Sequence, residues 1–220
     1  MRKQSTTATM IKKFTRQPTN PAALPSCIPP SLAPGSPLPR LIVFDLDYTI
    51  WPFWVDTHPL PPFRPAADHT SATDKMGETY EFYPDSPSIL YSLSTHLSVK
   101  VAAASRTHTP DRARDLLKML WVYPPPEDGG AAAGKKDKPR KALEFFDAGV
   151  EIYPGSKMRH FEVLKKRTGI AFEDMLFFDD EGRNREVETL GVTMRLVRDG
   201  MTWAEVEAGV LEWRKRRGHA

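Results

Sequence analysis

The chain has 220 residues, which is enough for one ordinary domain with a tail, and 40% of them are hydrophobic, which is enough for a core. The net charge of +3 is small and its basic residues are scattered, so we expect no nucleic-acid partner. A single cysteine, Cys27, excludes an intramolecular disulfide, and no apolar run approaches the ~18 residues of a membrane span, so we expect no membrane partner.

The first 40 residues form the most biased part of the chain. Residues 1 to 40 contain no acidic residue and are rich in Ser, Thr and Pro, which predicts a disordered tail. Mitochondrial transit peptides share this basic, hydroxyl-rich composition, so mitochondrial targeting is the alternative. Because arginine is sparse in the tail, we expect a cytoplasmic protein.

The first predicted strand ends on two carboxylates. Leu41 to Phe44 is an apolar run without alternation, which is typical of a strand buried on both faces of a parallel sheet. Asp45 and Asp47 follow it, and their spacing places both side chains on one side of an extended chain. Ligands of open α/β sheets bind beyond such strand ends. The alternative is that the pair is only a turn that ends the strand.

An insertion at residues 51–84 follows this strand end, and we call it the flap. It opens with an aromatic run and a Pro-rich loop, and Glu78 to Tyr83 alternates like a strand, so we expect a small flap with a hairpin. Most of its aromatic residues should pack beneath it. We expect Trp51 and Trp54 to line a substrate pocket instead.

Helices and strands alternate after the flap. Further strands are predicted at residues 99–104, 150–153, 175–178 and 192–197, and helices are predicted between them. The last helix has capping-box spacing from Thr202 to Glu205 and should bury Val206, Val210 and Leu211. Residues 124–139 have low complexity and should form a surface loop. The alternation predicts a three-layer α/β domain.

Polar groups stand at four of these strand ends, and the ends of parallel strands meet at one edge of a sheet. Carboxylates that meet there repel one another unless a cation lies among them, and oxygen ligands without His or Cys favour a hard cation such as Mg²⁺. A lysine and a hydroxyl beside that cation suit a phosphoryl group. The groups are Asp45 and Asp47, Ser105, Lys157, and Asp179 and Asp180.

These groups carry a resemblance to a known family. The motif Asp45-Leu-Asp47-Tyr-Thr49, with Ser105, Lys157 and Phe178-Asp179-Asp180 at later strand ends, resembles the four motifs of haloacid-dehalogenase-like (HAD) phosphatases. The longer runs 43–58, 102–107, 152–157 and 177–181 are similar to the magnesium-dependent phosphatases of that superfamily. The resemblance covers residues 41–215 and leaves out the tail and the insertion at 124–139.

The resemblance implies a fold and a reaction. It implies a Rossmann-like sheet of order 5-4-1-2-3 with a minimal cap, and hydrolysis of phosphate monoesters through an aspartyl-phosphate. Asp45 would be the nucleophile, Asp47 the general acid and base, and Thr49 the residue that orients Asp47.

The resemblance also implies the binding groups. Ser105, Arg106 and Lys157 would hold phosphate oxygens. Mg²⁺ would be bound by Asp45, the carbonyl oxygen of Asp47 and Asp180, with Asp179 as support. The substrate would be a phosphotyrosyl protein or a small sugar phosphate, and we expect a monomer.

Two other functions stay open. A phospho-accepting module of the receiver type also combines an acidic cluster, a hydroxyl, a lysine and Mg²⁺, but a long-lived phosphoryl group does not need an acid/base at Asp47. A HAD-family hydrolase of another bond, such as carbon–halogen, needs the nucleophile but no acid for the leaving group. Asp47 therefore favours the phosphatase over both.

Overall fold

The computed structural model describes residues 25–125 and 138–219. Short 3₁₀ segments lie at Pro30–Leu32, Ala142–Phe145, Phe172–Asp174 and Gly182–Leu190. The strands and helices, in chain order, are β1 (Leu41–Phe44), β2 (Arg64–Pro65), β3 (Ser71–Thr73), β4 (Thr79–Glu81), α1 (Ser86–Thr95), β5 (Lys100–Ser105), α2 (Pro110–Met119), β6 (Trp121–Val122), β7 (Arg140–Lys141), β8 (Gly149–Ile152), α3 (Lys157–Thr168), β9 (Met175–Asp179), β10 (Thr193–Leu196) and α4 (Trp203–Arg217).

A parallel five-stranded sheet forms the centre of the domain. Its order is β10-β9-β1-β5-β8, which confirms the predicted order 5-4-1-2-3 and the α/β class. Phe44 lies opposite Ala103 on one side and Phe178 on the other. The backbone N–H of Asp45 extends this ladder by donating to the carbonyl of Phe178 at 2.9 Å. The register therefore brings the ends of β1, β5 and β9 to one edge.

Both faces of the sheet are covered. Ile42 and Phe44 belong to the core that α1, α2 and α4 cover, whereas Leu41 and Val43 belong to the core beneath α3 and Gly182–Leu190. Successive side chains of a strand point to opposite faces, so four apolar residues in a row are what a two-sided strand needs. The three predicted layers are confirmed.

Two details of the predicted helices differ from the structure. Leu211, expected in the core with Val206 and Val210, is 48% exposed because it lies on the outer side of α4. The predicted helix before Gly191 is a 3₁₀ segment, Gly182–Leu190. Its buried residues, Asn184 and Val187, are three apart, which is the repeat of a 3₁₀ helix.

The segment from residue 25 to 40 is packed, so the predicted tail is too long. Ile28 and Leu32 are buried in the core. The Arg214 guanidinium, on α4, donates to the carbonyl oxygens of Ser31 at 2.9 Å and Pro37 at 2.7 Å. A Pro-rich chain whose only regular structure is one 3₁₀ turn can thus be held in place by a few buried apolar side chains and by one guanidinium that donates to two carbonyls. The rest of the predicted tail, residues 1–24, lies outside the described residues.

The flap is a three-stranded antiparallel sheet rather than a hairpin. Strand β3 pairs with β2 on one side and β4 on the other. Strands β6 and β7 pair with each other on either side of the predicted surface loop, most of which lies outside the described residues. None of the helices in the described ranges has the length and hydrophobicity needed to cross a bilayer.

Candidate active site

A cleft of about 440 Å³ lies at the carboxyl ends of β1, β5 and β9. Seven residues predicted from the sequence line it, whereas Thr49, Trp51 and Asp179 do not. The seven are Asp45, Asp47, Trp54, Ser105, Arg106, Lys157 and Asp180. The sheet therefore brings together the groups that the strand-end argument placed at one edge.

The turn after β1 sets the direction of the first two carboxylates. Tyr48 has a φ of 52°, in the left-handed region that non-glycine residues adopt rarely and often at functional sites. The N–H groups of Thr49 and Ile50 both donate to the carbonyl of Leu46, at 3.2 Å and 2.9 Å. This tight turn follows Asp45 directly, and it keeps Asp45 and Asp47 on the cleft side.

Lys157 lies buried between two carboxylates at the first position of α3. Its ammonium group is 2.5 Å from Asp45 Oδ1 and 3.0 Å from Asp179 Oδ2, and it also donates to the carbonyl of Ala104. An ammonium has three N–H donors, so these contacts use all of them. Removing one partner from such a buried pair typically costs about 3–5 kcal/mol. The predicted contact of Lys157 with phosphate oxygens stays a prediction.

The charges around Asp45 act in opposite directions. Burial raises the pKa of its carboxyl well above the ordinary value; the ammonium of Lys157 opposes that rise, and the carboxylates of Asp179 and Asp47 add to it. Burial lowers the pKa of Lys157, but Asp45 and Asp179 outweigh it and the net shift is upward. For both groups, burial and the ion pair therefore shift the pKa in opposite directions.

Asp179 is fully buried and supports the site from behind. Its Oδ1 accepts from the backbone N–H of Glu181 at 2.7 Å, and the amide of Asn184 donates to Oδ1 and Oδ2 at 2.9 and 2.8 Å. The side-chain oxygen of Asn184 in turn accepts from Arg106 Nη1 at 3.0 Å. Asn184 therefore joins Arg106, which lines the cleft, to the buried carboxylate of Asp179.

Asp180 is the member of the pair that faces the cleft. Burial first, and then the carboxylates of Asp179 and Glu181, raises its pKa to about 6. Since both oxygens of Asp179 already have partners, Asp180 is the one with oxygen available to a ligand in the cleft. The geometry favours the predicted division between direct ligation by Asp180 and support by Asp179.

Asp47 is oriented by residues other than the predicted one. Its Oδ1 accepts from the indole Nε1 of Trp51 at 2.8 Å, and its Oδ2 accepts from the backbone N–H of Val55 at 3.2 Å. Burial raises the pKa of Asp47 to about 6, and these two hydrogen bonds oppose the rise. The Thr49 hydroxyl is buried and has no hydrogen-bond partner among the described residues, so it makes no hydrogen bond to Asp47, and the role predicted for Thr49 stays a prediction.

The two tryptophans of the flap have different surroundings. Trp51 is 0% exposed and stacks on Phe53 at 5.1 Å and on Phe82 at 6.1 Å, so the prediction that it binds substrate is wrong. Trp54 is 51% exposed, lines the cleft and meets Tyr48 edge to face at 5.3 Å. Only Trp54 is placed to touch a substrate.

Sequence reasoning missed several residues that line the cleft. Asn184 lies on the 3₁₀ segment that starts after β9. Its closeness in sequence to Asp179 and Asp180 could have indicated that it belongs to the site. The others lie on loops, apart from Arg183 on the same 3₁₀ segment, and no periodicity points to a binding role for them. They are Asp56, Thr57, Thr107, His108, Glu181 and Arg183.

The cleft fits a hard divalent cation. Within residues 25–125 and 138–219, no three His, Cys, Asp or Glu side chains form a ready-made metal site. The predicted ligand set differs in using a backbone carbonyl, that of Asp47, beside the carboxylates of Asp45 and Asp180. The ammonium of Lys157 contacts only two of the carboxylates here, Asp45 and Asp179. Burial, and after it the neighbouring carboxylates, raises the pKa of Asp45 and Asp180. Oxygen donors with surplus negative charge are what Mg²⁺ requires.

Comparison with known proteins assigns the chain to a family. A family model described as acid phosphatase matches residues 37–216. The human protein named Magnesium-dependent phosphatase 1 is 42% identical over 174 residues, covering 79% of this chain and 86% of that protein. A HAD-like hydrolase superfamily protein of Schizosaccharomyces pombe is 45% identical over 156 residues, covering 70% and 83%.

The fold and the acidic cleft define an α/β domain with a polar site at its strand ends. The chain belongs to the acid phosphatase family. These matches confirm the resemblance to HAD-like phosphatases and their magnesium-dependent members. A solved structure of a predicted HAD-like family hydrolase from Porphyromonas gingivalis aligns with a TM-score of 0.49 and 16% identity over 80% of this chain and 98% of that chain. The family assignment rests on the sequence matches.

Proposed function

We propose that this protein is a Mg²⁺-dependent phosphatase that hydrolyses phosphate monoesters through an aspartyl-phosphate on Asp45. The observation that carries the proposal is the pairing of two carboxylates with different surroundings. Asp45 is ion-paired to Lys157, which suits a nucleophile that must be ionised. Asp47 has a pKa of about 6 and no cationic partner bonded to it, which suits a group that gives up and regains a proton near neutral pH.

In the first step a carboxylate oxygen of Asp45 attacks phosphorus. The bond between phosphorus and the ester oxygen breaks, and protonated Asp47 gives its proton to the leaving oxygen. The product alcohol departs, and the phosphoryl group remains on Asp45. Ser105 accepts from the Thr107 N–H at 3.3 Å, which leaves its hydroxyl proton able to donate to a phosphate oxygen.

In the second step water attacks the phosphorus of the aspartyl-phosphate. Ionised Asp47 takes a proton from that water, the bond between phosphorus and Asp45 breaks, and inorganic phosphate leaves. Asp47 is then protonated and Asp45 is ionised, as at the start. The two steps consume one water for each ester and return every catalytic group to its first state.

The metal would be held by Asp45, the carbonyl oxygen of Asp47 and Asp180. A bound Mg²⁺ supplies charge stabilisation to the phosphoryl oxygens, which is the main demand of phosphoryl transfer. The fixed network of Lys157, Asp179 and Asn184 holds the surrounding groups, so little reorganisation is needed when the substrate binds.

The substrate class is a phosphate monoester, and the finer choice lies between a phosphotyrosyl protein and a small sugar phosphate. The flap is small and leaves Trp54 exposed beside the cleft, which supports an open site. An open cleft can admit an extended peptide as well as a small molecule. We further propose that the enzyme is monomeric and cytoplasmic; the tail composition keeps mitochondrial targeting as the alternative.

A screen of phosphate esters tests the proposed function. The purified full chain is assayed with an aryl phosphate, a phosphotyrosyl peptide and several phosphosugars, in Mg²⁺ and after removal of metal with EDTA. We expect release of inorganic phosphate from at least one ester, its loss in EDTA, and its return when Mg²⁺ is added. The absence of phosphate release from every ester, or release that is insensitive to EDTA, would contradict the proposal.

The same preparation tests the two other functions. A receiver-type module would accumulate a phosphoryl group on Asp45 from a small phosphodonor and release it only slowly. A hydrolase of carbon–halogen bonds would release halide from a haloacid. Either result without hydrolysis of a phosphate monoester would replace the phosphatase.

A further inference from the structure

The indole of Trp51 has no part in the reaction described above, although it touches the acid/base group directly. It is fully buried and lies outside the cleft lining. Its Nε1 donates to Asp47 Oδ1 at 2.8 Å across the turn after β1. An indole N–H can donate but cannot accept, so Trp51 cannot itself carry the proton that the reaction moves.

The second oxygen of Asp47 is held from the other side. The N–H of Val55 donates to Oδ2 at 3.2 Å. The carbonyls of Val55 and Asp56 in turn accept from Arg112 Nη1, on α2, at 3.1 and 3.0 Å. Donors on both oxygens define the plane of the carboxyl group as well as its position. This is the role that the family resemblance implied for Thr49, whose hydroxyl makes no hydrogen bond to Asp47.

The indole is itself fixed by the flap. Trp51 lies nearly parallel to Phe53, with 7° between the ring planes and 5.1 Å between the centroids. Phe82 stacks on it at 6.1 Å, and Tyr80, on β4, meets Phe53 edge to face at 4.9 Å. A buried aromatic cluster of this kind has few alternative rotamers. The buried aromatic residues of the flap therefore fix the direction of the indole N–H bond of Trp51.

We propose that Trp51 is a positioning residue, which holds the carboxyl group of Asp47 in the orientation from which it transfers protons. This inference rests on the proposed phosphatase function. It makes the flap a support for the acid/base group instead of a lid that only shapes the pocket. Because Trp51 does not line the cleft, its loss should act on proton transfer and leave the phosphate-binding groups in place.

Two substitutions at Trp51 test the inference, with one control. Trp51→Phe removes the N–H and keeps an aromatic ring. Replacement of Trp51 by benzothienylalanine keeps both rings and exchanges only the N–H for sulfur, so it remains informative if the Phe variant folds poorly. Phe53→Leu is the control, because it disturbs the same aromatic cluster without removing a hydrogen bond to Asp47.

The measured quantity is kcat/KM for an aryl phosphate and for an alkyl phosphate, because kcat/KM reports the steps up to the first phosphoryl transfer. The alkoxide that leaves from the alkyl ester needs a proton from Asp47, whereas the nitrophenolate that leaves from a nitrophenyl ester, the aryl phosphate used here, does not. We therefore expect the Trp51 variants to lose roughly tenfold on the alkyl ester and less than about threefold on the aryl ester. The control should lower both values by the same factor.

Three outcomes overturn the inference or its basis. Equal losses on the two esters, or no loss on either, would show that the indole N–H does not act through proton transfer. In an Asp47→Asn background Trp51→Phe should have no further effect on the alkyl ester, and a further tenfold loss would exclude Asp47 as its target. If the wild type hydrolyses neither ester, the proposed function fails and the inference fails with it. The measurement on the wild type therefore distinguishes this failure from a failure of the inference alone.

Discussion

The two walls of the cleft are built in different ways. The inner wall comprises Asp45, Lys157 and Asn184, with Asp179 directly behind them; it is buried, and each of these charged groups has a partner within hydrogen-bond distance. The outer wall is carried on loops and on the start of the 3₁₀ segment Gly182–Leu190, and it is open to solvent. It comprises Trp54, Thr57, His108 and Arg183.

The difference indicates how the work is divided between the walls. Buried dipoles and charges that are already oriented stabilise a transition state without reorganisation. Exposed groups gain little from each contact, since water screens them; Arg183, for example, is already paired with Glu181 at 2.6 Å. Substitutions on the inner wall should therefore change kcat or metal binding, and those on the outer wall should change mainly KM.

The largest effect is expected at the nucleophile. Asp45→Asn should lower kcat by at least about 10³-fold, because an amide cannot attack phosphorus. The check is steady-state hydrolysis of an aryl phosphate in Mg²⁺, with circular dichroism to show that the variant is folded. Asp56→Asn, also in the cleft, is the matched control and should keep most of the activity. A folded Asp45→Asn variant with near wild-type turnover would show that another group attacks phosphorus.

The next largest effect is expected at the acid/base group. Asp47→Asn should keep Mg²⁺ binding, because only the backbone carbonyl is a predicted ligand, and should lose one or both proton transfers, each worth about 10²–10⁴-fold. With an aryl phosphate we expect a burst of phenol followed by slow turnover. Rapid-quench mass spectrometry should then find phosphate on Asp45. Aryl and alkyl esters hydrolysed at wild-type rates would exclude the acid/base role.

A smaller effect is expected where the inner wall supports the metal site. Asn184→Ala removes the amide that holds Asp179 and the acceptor of Arg106. Loss of such an outer partner typically costs 10–100-fold in metal affinity, so the Mg²⁺ concentration for half-maximal activity should rise by about that factor. Arg185→Ala, on the same 3₁₀ segment but exposed, should leave it unchanged. Equal Mg²⁺ dependence in the two variants would show that Asn184 does not support the metal site.

The smallest effect is expected on the outer wall. Trp54→Ala should raise KM a few-fold and leave kcat within about threefold, because we expect the exposed indole to contact only the part of the substrate beyond the phosphate. Comparison of a phosphotyrosyl peptide with a phosphosugar shows which substrate depends more on this ring. A loss in kcat as large as that of Asp47→Asn would remove the distinction between the walls.

Much of the fold could be predicted from local patterns. The apolar run Leu41 to Phe44 predicted a strand buried on both faces, and the residues after four strands predicted a shared acidic edge. Both predictions hold because the ends of parallel strands meet wherever the strands pair in register. Composition wrongly predicted that the Pro-rich segment at residues 25–40 is disordered. The segment is held by Arg214, which lies more than 170 residues away in sequence and which local composition cannot reveal.

The residue types of the active site could be predicted from the sequence alone, because carboxylates, a hydroxyl and a lysine follow four strands whose ends meet at one edge of the sheet. Their partners were decided by the tertiary structure. Trp51 and Trp54 lie three residues apart in one aromatic run, yet one is 0% and the other 51% exposed. Trp51 packs against Phe82, which lies at the far end of the flap, so no local pattern could show that Trp51 bonds to Asp47 and that the Thr49 hydroxyl does not.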